Sequence, residues 1–436
     1  MRVKKCKRCG NDFEPVRGNA KENFCELCKA LNMLDDPNLT HEEWHKKIMQ
    51  FASLVLVALS VALTNVPMAP TVWISGTNVV GKSTGSKKYP LDGSTADRFD
   101  TLHRGFPPSS TINYFSNHVY QTTGSASYND ASGWWVKPGW KVRGHGATVR
   151  QVWFPSEPVT HGLFEMRMDD EGAEISDLTI DENWTGNPLG KSFSVSLWGS
   201  NCKIVNVRAV HGYGNRSSLM ESFSLSISTY PGRTATNGLI DGCMVEGYRG
   251  NYGCAIALTT SGKVRNCIVM DFNGTSPIGL WSNVLYENNT FLNCFNGYYA
   301  DTGTVTNFVI RNCHVLNGRG YAVHINPILG ELPLVMGMLI EGCAFETSGI
   351  GVAMSGSLGP GTQYDFTIKK NTFTGKGLPI VSAYVQGLTV TDNLVMGGAA
   401  RSVLNWPEYP SHDVTAARNY RLPAPEGLEE SETGKE

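Results

Sequence analysis

Apolar and polar positions alternate in short segments that recur from about residue 174 to residue 422. Segments such as EISDLTID, LIDGCMVE, VIRNCHVL and TIKKNTFT place an apolar side chain at every second residue. A period of two is the pattern of a β-strand with one buried face. The segments recur at intervals of 22 to 36 residues, which predicts a solenoid of stacked coils.

One position in each segment predicts a sharp bend. It holds Asp, Asn or Gly in eight of ten coils, and these residues best tolerate a left-handed backbone. The bend positions are Asp177, Asn206, Gly242, Asn266, Asn288, Asn312, Gly342, Lys370, Asp392 and Arg418.

The position after the bend points inward and is dominated by Cys and Asn. Equivalent positions on neighbouring coils stack about 4.8 Å apart. We therefore expect the asparagines to form an amide ladder and the cysteines to fill the same slots as free thiols, since parallel Cβ vectors disfavour disulfides. The residues are Leu178, Val207, Cys243, Cys267, Asn289, Cys313, Cys343, Asn371, Asn393 and Asn419.

A third strand follows each segment after a turn, as in FSVSLW, CAIALT and YAVHIN. Alternation along these strands places their apolar residues inside and mostly small residues outside. The expected inward residues are Val195, Leu197, Leu225, Ile227, Ile256, Leu258, Ile278, Leu280, Val323 and Ile325.

The stretch DGSTADRFDTLHRGF predicts a short amphipathic helix at the start of the solenoid. Ser94 is the expected N-cap, with Asp97 at the third helical position. Phe99, Leu102 and His103 follow at helical spacing. Residues 70–92 are rich in Gly, Ser, Thr and Lys and are expected to form a linker.

The coils and this helix, about residues 85–422, resemble the right-handed parallel β-helix proteins of the pectate-lyase-like superfamily. The resemblance implies an all-β fold, a right-handed parallel β-helix solenoid with an N-terminal capping helix over residues 93–422. It also implies that sugar chains bind on the outer face of the third strands. It does not identify an activity, because this fold hosts lyases, hydrolases, phage tailspikes and non-catalytic surface proteins.

Residues 1–39 contain two CxxC pairs separated by 15 residues. Four thiolates at this spacing match tetrahedral Zn²⁺, and the segment resembles the zinc-ribbon class. We expect a structural zinc site, because no spare His, Asp or Glu lies at ligand spacing. The predicted ligands are Cys6, Cys9, Cys25 and Cys28.

Residues 40–69 predict a hydrophobic helix that begins at a capping box formed by Thr40 and Glu43. Its apolar part, 48–69, reaches the length of a membrane span only near Pro67. Lys46 and Lys47 precede this part, which favours a cytoplasmic N-terminus and a β-helix outside the cytoplasm. Three interpretations stay open: a signal-anchor, a secretory signal, or a helix buried in protein, as in the stalk of a homotrimer.

The formal net charge is −2 and charged residues make up 17% of the chain. This balance argues against a protein built to bind nucleic acid. Residues 423–436 form an acidic tail with proline that we expect to be disordered.

Three adjacent coils concentrate chemistry on the outer face of their third strands. Most coils carry small residues there, but these carry Trp281, Tyr299, Asp301, His324 and Asn326. Asp301, His324 and Tyr299 are the candidate catalytic residues, because a carboxylate or tyrosine beside an imidazole offers acid–base chemistry. Aromatic rings and amides suit a sugar chain, and arginines suit its carboxylates. The candidate substrate-binding residues are Trp281, Asn326, Arg319, Trp198, Arg249 and Tyr252.

The sequence therefore predicts a β-helix that binds a polysaccharide near residues 281–326 and leaves its cleavage open. A lyase would use His324 or Tyr299 as the base and Arg319 to neutralise a uronate. A glycoside hydrolase would need a second carboxylate besides Asp301, for which Asp271 and Glu221 are candidates. The alternative is a non-catalytic structural or adhesion β-helix, such as a surface or virion spike protein. His145 and His211 are expected to be turn residues.

The zinc site makes a direct prediction. Native mass spectrometry of the N-terminal fragment under reducing conditions should show one bound Zn²⁺. A fragment mass without metal would contradict the four-cysteine site.

Overall fold

The computed structural model divides the chain into two compact units, Met1–Met68 and Ala69–Glu436. The structure describes residues 4–5, 12–13, 69–123, 135–152, 160–165, 171–183, 191–214, 223–228, 235–247, 249–250, 254–272, 276–300, 305–326, 335–354, 363–397, 404–405 and 410–423.

In the first unit, β1 (Lys4–Lys5) pairs antiparallel with β2 (Asp12–Phe13). The four cysteines predicted to bind zinc lie outside the described residues, as does segment 48–68. Within the described ranges, no helix is both long and apolar enough to cross a membrane.

The second unit is a parallel β-helix, because its strand pairings are parallel and each regular coil contributes to three faces. The opening elements are β3 (Thr71–Ser75), β4 (Leu91–Asp92), α1 (Ala96–Gly105), β5 (Thr111–Tyr114), β6 (Val119–Thr122) and β7 (Lys141–Gln151).

Two faces meet at the bend, and β9 (Glu174–Asp181) and β11 (Lys203–Val210) run through it. The first face, before the bend, continues with β14 (Gly238–Asp241), β18 (Gly262–Arg265), β21 (Val284–Glu287), β24 (Val305–Thr306), β25 (Val309–Arg311), β28 (Val335–Glu341), β31 (Gln363–Lys369), β34 (Val385–Thr391) and β37 (Thr415–Ala417). The second face, after the bend, continues with β15 (Met244–Glu246), β19 (Ile268–Met270), β22 (Thr290–Leu292), β26 (His314–Gly318), β29 (Ala344–Thr347), β32 (Thr372–Thr374), β35 (Leu394–Met396) and β38 (Tyr420–Leu422).

The third face is a ten-stranded sheet in coil order. Its strands are β8 (Thr160–Glu165), β10 (Lys191–Trp198), β13 (Phe223–Ser228), β17 (Cys254–Leu258), β20 (Ser276–Gly279), β23 (Tyr298–Ala300), β27 (Tyr321–Ile325), β30 (Ile350–Met354), β33 (Leu378–Ser382) and β36 (Leu404–Asn405). A further parallel pair joins β12 (Tyr213–Gly214) to β16 (Arg249–Gly250).

The β-helix begins earlier than predicted. The range 70–92, expected as a linker, contains β3, which pairs in parallel with β5. The alternation in TVWIS accounts for this, because Ile74 is fully buried against the core.

Helix α1 confirms the predicted capping helix, with its N-cap one residue later than expected. Thr95 Oγ1 accepts a hydrogen bond from Arg98 N at 3.3 Å. Ser94 is held in the preceding turn, where its N–H donates to Asp92 Oδ1 at 3.0 Å. Phe99 and His103 are the buried side of the helix.

All ten predicted bend residues adopt a left-handed backbone, with φ between 51° and 67°. Even Lys370 and Arg418, which seldom adopt it, have φ of 56° and 51°. The bend is therefore a property of the coil and not only of its favoured residue types.

Beneath the bend, the predicted amide ladder runs through the last three coils. Asn371 Oδ1 accepts from Cys343 N at 2.9 Å, and Asn371 Nδ2 donates to Ile340 O at 3.0 Å. Asn393 and Asn419 repeat both contacts one coil further on. Each amide thus satisfies backbone groups that the sharp turn removes from the sheet.

The cysteine prediction is also confirmed within the described coils. All seven described cysteines, among them Cys243, Cys267, Cys313 and Cys343, are free and buried. These four cysteines occupy the same stack as the asparagines, and all four belong to the continuous hydrophobic core.

Replacing Asn371 with Ala should lower the free energy of unfolding by about 2–4 kcal/mol. The change leaves the Cys343 N–H and the Ile340 carbonyl buried without a partner and opens a cavity. Asn371→Cys should cost about half as much, since Cys fills this slot in other coils. Urea unfolding followed by circular dichroism measures both changes.

The matched control is Thr367→Ala, at an outward, half-buried position of β31, which should stay within about 0.5 kcal/mol of the wild type. An Asn371→Ala effect as small as that of the control would show that the ladder contributes little.

Candidate functional site

On the third face, the inward residues agree with the prediction and the outward ones do not. Every predicted inward residue is at most 2% exposed. The small outward residues, expected to form an open surface, are buried as well: Ser196, Ser226, Ala257 and Ala353 are at most 4% exposed.

The tryptophans explain part of this burial. Trp198 folds back over its own strand and donates from Nε1 to Ser196 Oγ at 3.1 Å. Trp281 folds back over Gly279, where its Nε1 lies 3.0 Å from the position of an added Cβ. The small residues therefore leave room for the two tryptophan rings, which pack against the core. Trp198 and Trp281 thus cover part of the outer surface of the third face.

Tyr299 and His324 are neighbours, as predicted. They are paired in register on β23 and β27, and their rings meet edge to face with centroids 5.0 Å apart. Tyr321, which the sequence did not single out, stacks on His324 at 4.0 Å. Burial lowers the pKa of His324 from 6.5 to about 4, so its imidazole is neutral at physiological pH.

The remaining predicted residues divide into three groups. Asp301 and Tyr252 lie outside the described residues, and Arg249 is described only as part of β16. Asn326 follows β27 and is half-buried, with its N–H bonded to Ala300 O at 2.8 Å. Arg319 lies at the edge between the second and third faces and not on the third face itself.

That edge holds a groove of about 750 Å³. Polar side chains from five consecutive coils line it. The lining residues are Asp271, Asn293, Asn317, Gly318, Arg319, Glu346, Thr347, Ser348, Gly375 and Lys376.

The groove arises from an interruption in a second left-handed column. Asp271 and Asn293 directly follow the second-face strands β19 and β22, and Asn317 is the next-to-last residue of β26 on the next coil; their φ values are 53° to 56°. Asn293 Nδ2 donates to Asp271 Oδ1 at 3.1 Å, and Asn317 Nδ2 donates to Asn293 Oδ1 at 3.2 Å. We call these three residues the edge ladder.

The next coil has no residue at the ladder position. The register between β26 and β29 shifts between Val315 and Gly318, so β29 passes this point with one residue fewer. The coil after it carries Gly375, whose added Cβ would lie 2.1 Å from Thr347 O. Among the described residues of these two coils, none places a side chain at the ladder position, and the groove lies beside Asn317.

Charges of both signs border the groove. Asp271 and Glu346 supply carboxylates, and the exposed Arg319 and Lys376 supply cations. Burial raises the pKa of the nearby Cys294 thiol to about 11. The charge of Asp271 raises this pKa further, and the charge of Arg319 lowers it. The groove is therefore close to neutral overall.

The sequence identified only part of this groove. Asp271 and Arg319 were candidates, but Glu346 and Lys376 were missed. Their signal was the shorter spacing in AFETSG than in HVLNGRG, which becomes visible only once the coils are aligned in register.

A second polar cluster lies near the start of the same edge. Buried Asp181 accepts from Arg150 Nε at 2.8 Å and lies 2.8 Å from His211 Nδ1. Burial by itself would raise the pKa of Asp181, but the bonds from His211 and Arg150 hold it below its usual range. His145 and His211 have φ of 51° and 58°; His211 directly follows β11, as expected of a turn residue, whereas His145 is a left-handed bend within β7. Across the described ranges, no three His, Cys, Asp or Glu side chains are grouped to hold a metal.

No family model matches the chain, and no curated protein matches it. Several solved structures are similar. The surface adhesin PfbA of Streptococcus pneumoniae is 14% identical with a TM-score of 0.49, over 80% of this chain and 92% of the adhesin. The GH136 lacto-N-biosidase from Eubacterium ramulus is 9% identical with a TM-score of 0.47, over 87% of this chain and 72% of the enzyme.

A third similar structure is a tailspike protein of Acinetobacter baumannii bacteriophage Fri1, a capsular polysaccharide depolymerase. It is 13% identical with a TM-score of 0.37, over 81% of this chain and 63% of the tailspike. At these identities and scores, no functional residue is transferred to this chain.

The depressed pKa of His324 predicts a pH-dependent stability. The unfolded imidazole binds protons below pH 6.5 while the folded one stays neutral down to about pH 4. This contribution is complete above pH 6.5 and is lost as the pH falls toward 4. His324→Phe should therefore weaken the drop in unfolding free energy between pH 7 and pH 5, measured by urea unfolding.

His314→Phe is the control, because His314 is exposed on β26. Equal pH dependence in the wild type and His324→Phe would contradict the buried neutral imidazole.

Proposed function

We propose that this β-helix binds a polysaccharide in the edge groove, and that the groove is the primary binding site. The observation that carries the proposal is the groove itself, an open cleft of about 750 Å³ that runs across several coils. A cleft along the axis of a solenoid suits an extended chain that contacts successive coils.

The lining is suited to sugars. Amides from Asn293 and Asn317 and the hydroxyl of Ser348 supply donors and acceptors, and Gly318 and Gly375 leave a low floor. Phe295, 46% exposed, lies over Gly320 beside the groove and offers an aromatic face for stacking.

Cleavage is a separate part of the proposal. His324 is neutral, which is the form a general base requires, and Tyr299 contacts its ring. A lyase or hydrolase acting here would combine them with Asp301. Without catalysis at this cluster, the groove serves an adhesion or spike protein that binds glycan and does not cleave it.

We infer export or membrane anchoring through 48–69, a structural zinc held by the four N-terminal cysteines, and homotrimer assembly as a further option.

Filling the groove should abolish binding. Ser348→Trp places a large ring in the groove from an exposed turn and should weaken affinity for the bound polysaccharide at least tenfold. Isothermal titration against a polysaccharide panel measures the loss. Ser116→Trp, at an exposed turn before β6, is the control and should bind like the wild type. Unchanged affinity in Ser348→Trp would place binding elsewhere.

The catalytic cluster is tested by Asp301→Ala and His324→Ala. If the protein is an enzyme acting there, each change should reduce turnover of the same panel by about 100-fold or more. Release of reducing ends detects hydrolysis, and absorbance of unsaturated uronates detects elimination. No turnover by the wild type, or turnover that survives both changes, would exclude catalysis by these residues.

A further inference from the structure

The edge ladder has a direction, and its last member lacks the next partner. Each Asn of the ladder donates from Nδ2 to the oxygen of the preceding coil. Asn317 Nδ2 is thereby directed toward Asn293, which leaves Asn317 Oδ1 for the following coil. Within the described structure, that oxygen accepts no hydrogen bond, because the following coil has no residue at this position.

We propose that the groove selects a sugar with an N-acetyl group, whose acetamido takes the missing place in the edge ladder. The proposal rests on the function proposed above and names the chemical class of the sugar. A trans acetamido group has its N–H and C=O on opposite sides, so it has the same donor–acceptor polarity as a ladder asparagine. Its N–H donates to Asn317 Oδ1, and its carbonyl is directed toward the coil that carries Lys376.

The shape of the groove favours this group. Gly318, Thr347 and Gly375 form the floor of the groove, and their side chains are small or absent. Added Cβ atoms at Gly318 and Gly375 would lie 3.2 Å or less from atoms of Glu346 and Thr347. The neighbouring coils thus leave no room for a Cβ at either glycine, so the floor carries no side chain at these two positions and the acetyl methyl would lie above it.

The charges of the groove argue against an acidic sugar. A uronate carboxylate would meet Arg319 and Lys376, but also Asp271 and Glu346. A neutral amide needs no compensating charge and uses a fixed acceptor instead. The edge groove therefore discriminates by hydrogen-bond pattern and not by net charge.

The test uses the full chain and three methyl glycosides: the N-acetylglucosaminide, the glucoside and the glucuronide. Saturation-transfer NMR and titration should show the N-acetylglucosaminide bound about three- to tenfold tighter than the others, the worth of one hydrogen bond. The strongest transfer should reach the acetyl methyl. The N-acetylgalactosaminide and galactoside are compared in the same way, so that the result does not depend on one epimer.

Asn317→Gly removes the acceptor without strain at φ 54° and should erase the preference for the N-acetyl sugars. Asn288→Gly is the matched control: Asn288 is exposed, has φ 55° and belongs to a ladder at the bend. It should leave the preference intact.

Binding of all three sugar types with equal affinity, or a preference that persists in Asn317→Gly, would overturn the acetamido proposal and leave the binding function standing. Binding of no glycoside and no polysaccharide would overturn both.

Discussion

The left-handed residue at the bend is the constraint on which this β-helix depends. It turns each coil within one residue, so the chain leaves the first face and enters the second without a loop. The turn removes backbone groups from the sheets, and buried asparagines satisfy them in the last coils. The bend therefore recurs in ten coils, Asn or Cys fills the space beneath it in eight of them, and the asparagines add the ladder.

The candidate site follows from the same rule applied at a second corner. There too, residues with positive φ stack between neighbouring coils and their amides bond to one another. Regular stacking leaves a solenoid surface without recesses, so a recess requires a coil that departs from the pattern. The coil that contains Glu346 departs from the pattern because it is one residue shorter at this corner than the preceding coil. The groove results from that single difference in length.

Positions governed by backbone conformation and burial could be predicted from the sequence. The bend, the inward stack and the free cysteines were visible because their residue types are restricted. The second corner was not visible, because His211, Gly247, Asp271 and Asn293 share no residue type and are separated by turns of variable length. The outer face was misjudged because small residues such as Ser196 and Gly279 are equally compatible with solvent and with a ring folded over them.

Because none of the described cysteines forms a disulfide, the described coils do not depend on the redox state of their surroundings for a cross-link. No cross-link must form for the stack to close, and each buried thiol is shielded from oxidants by the coils above and below it. The same interior can thus be assembled in a reducing cytoplasm or in an oxidising exterior.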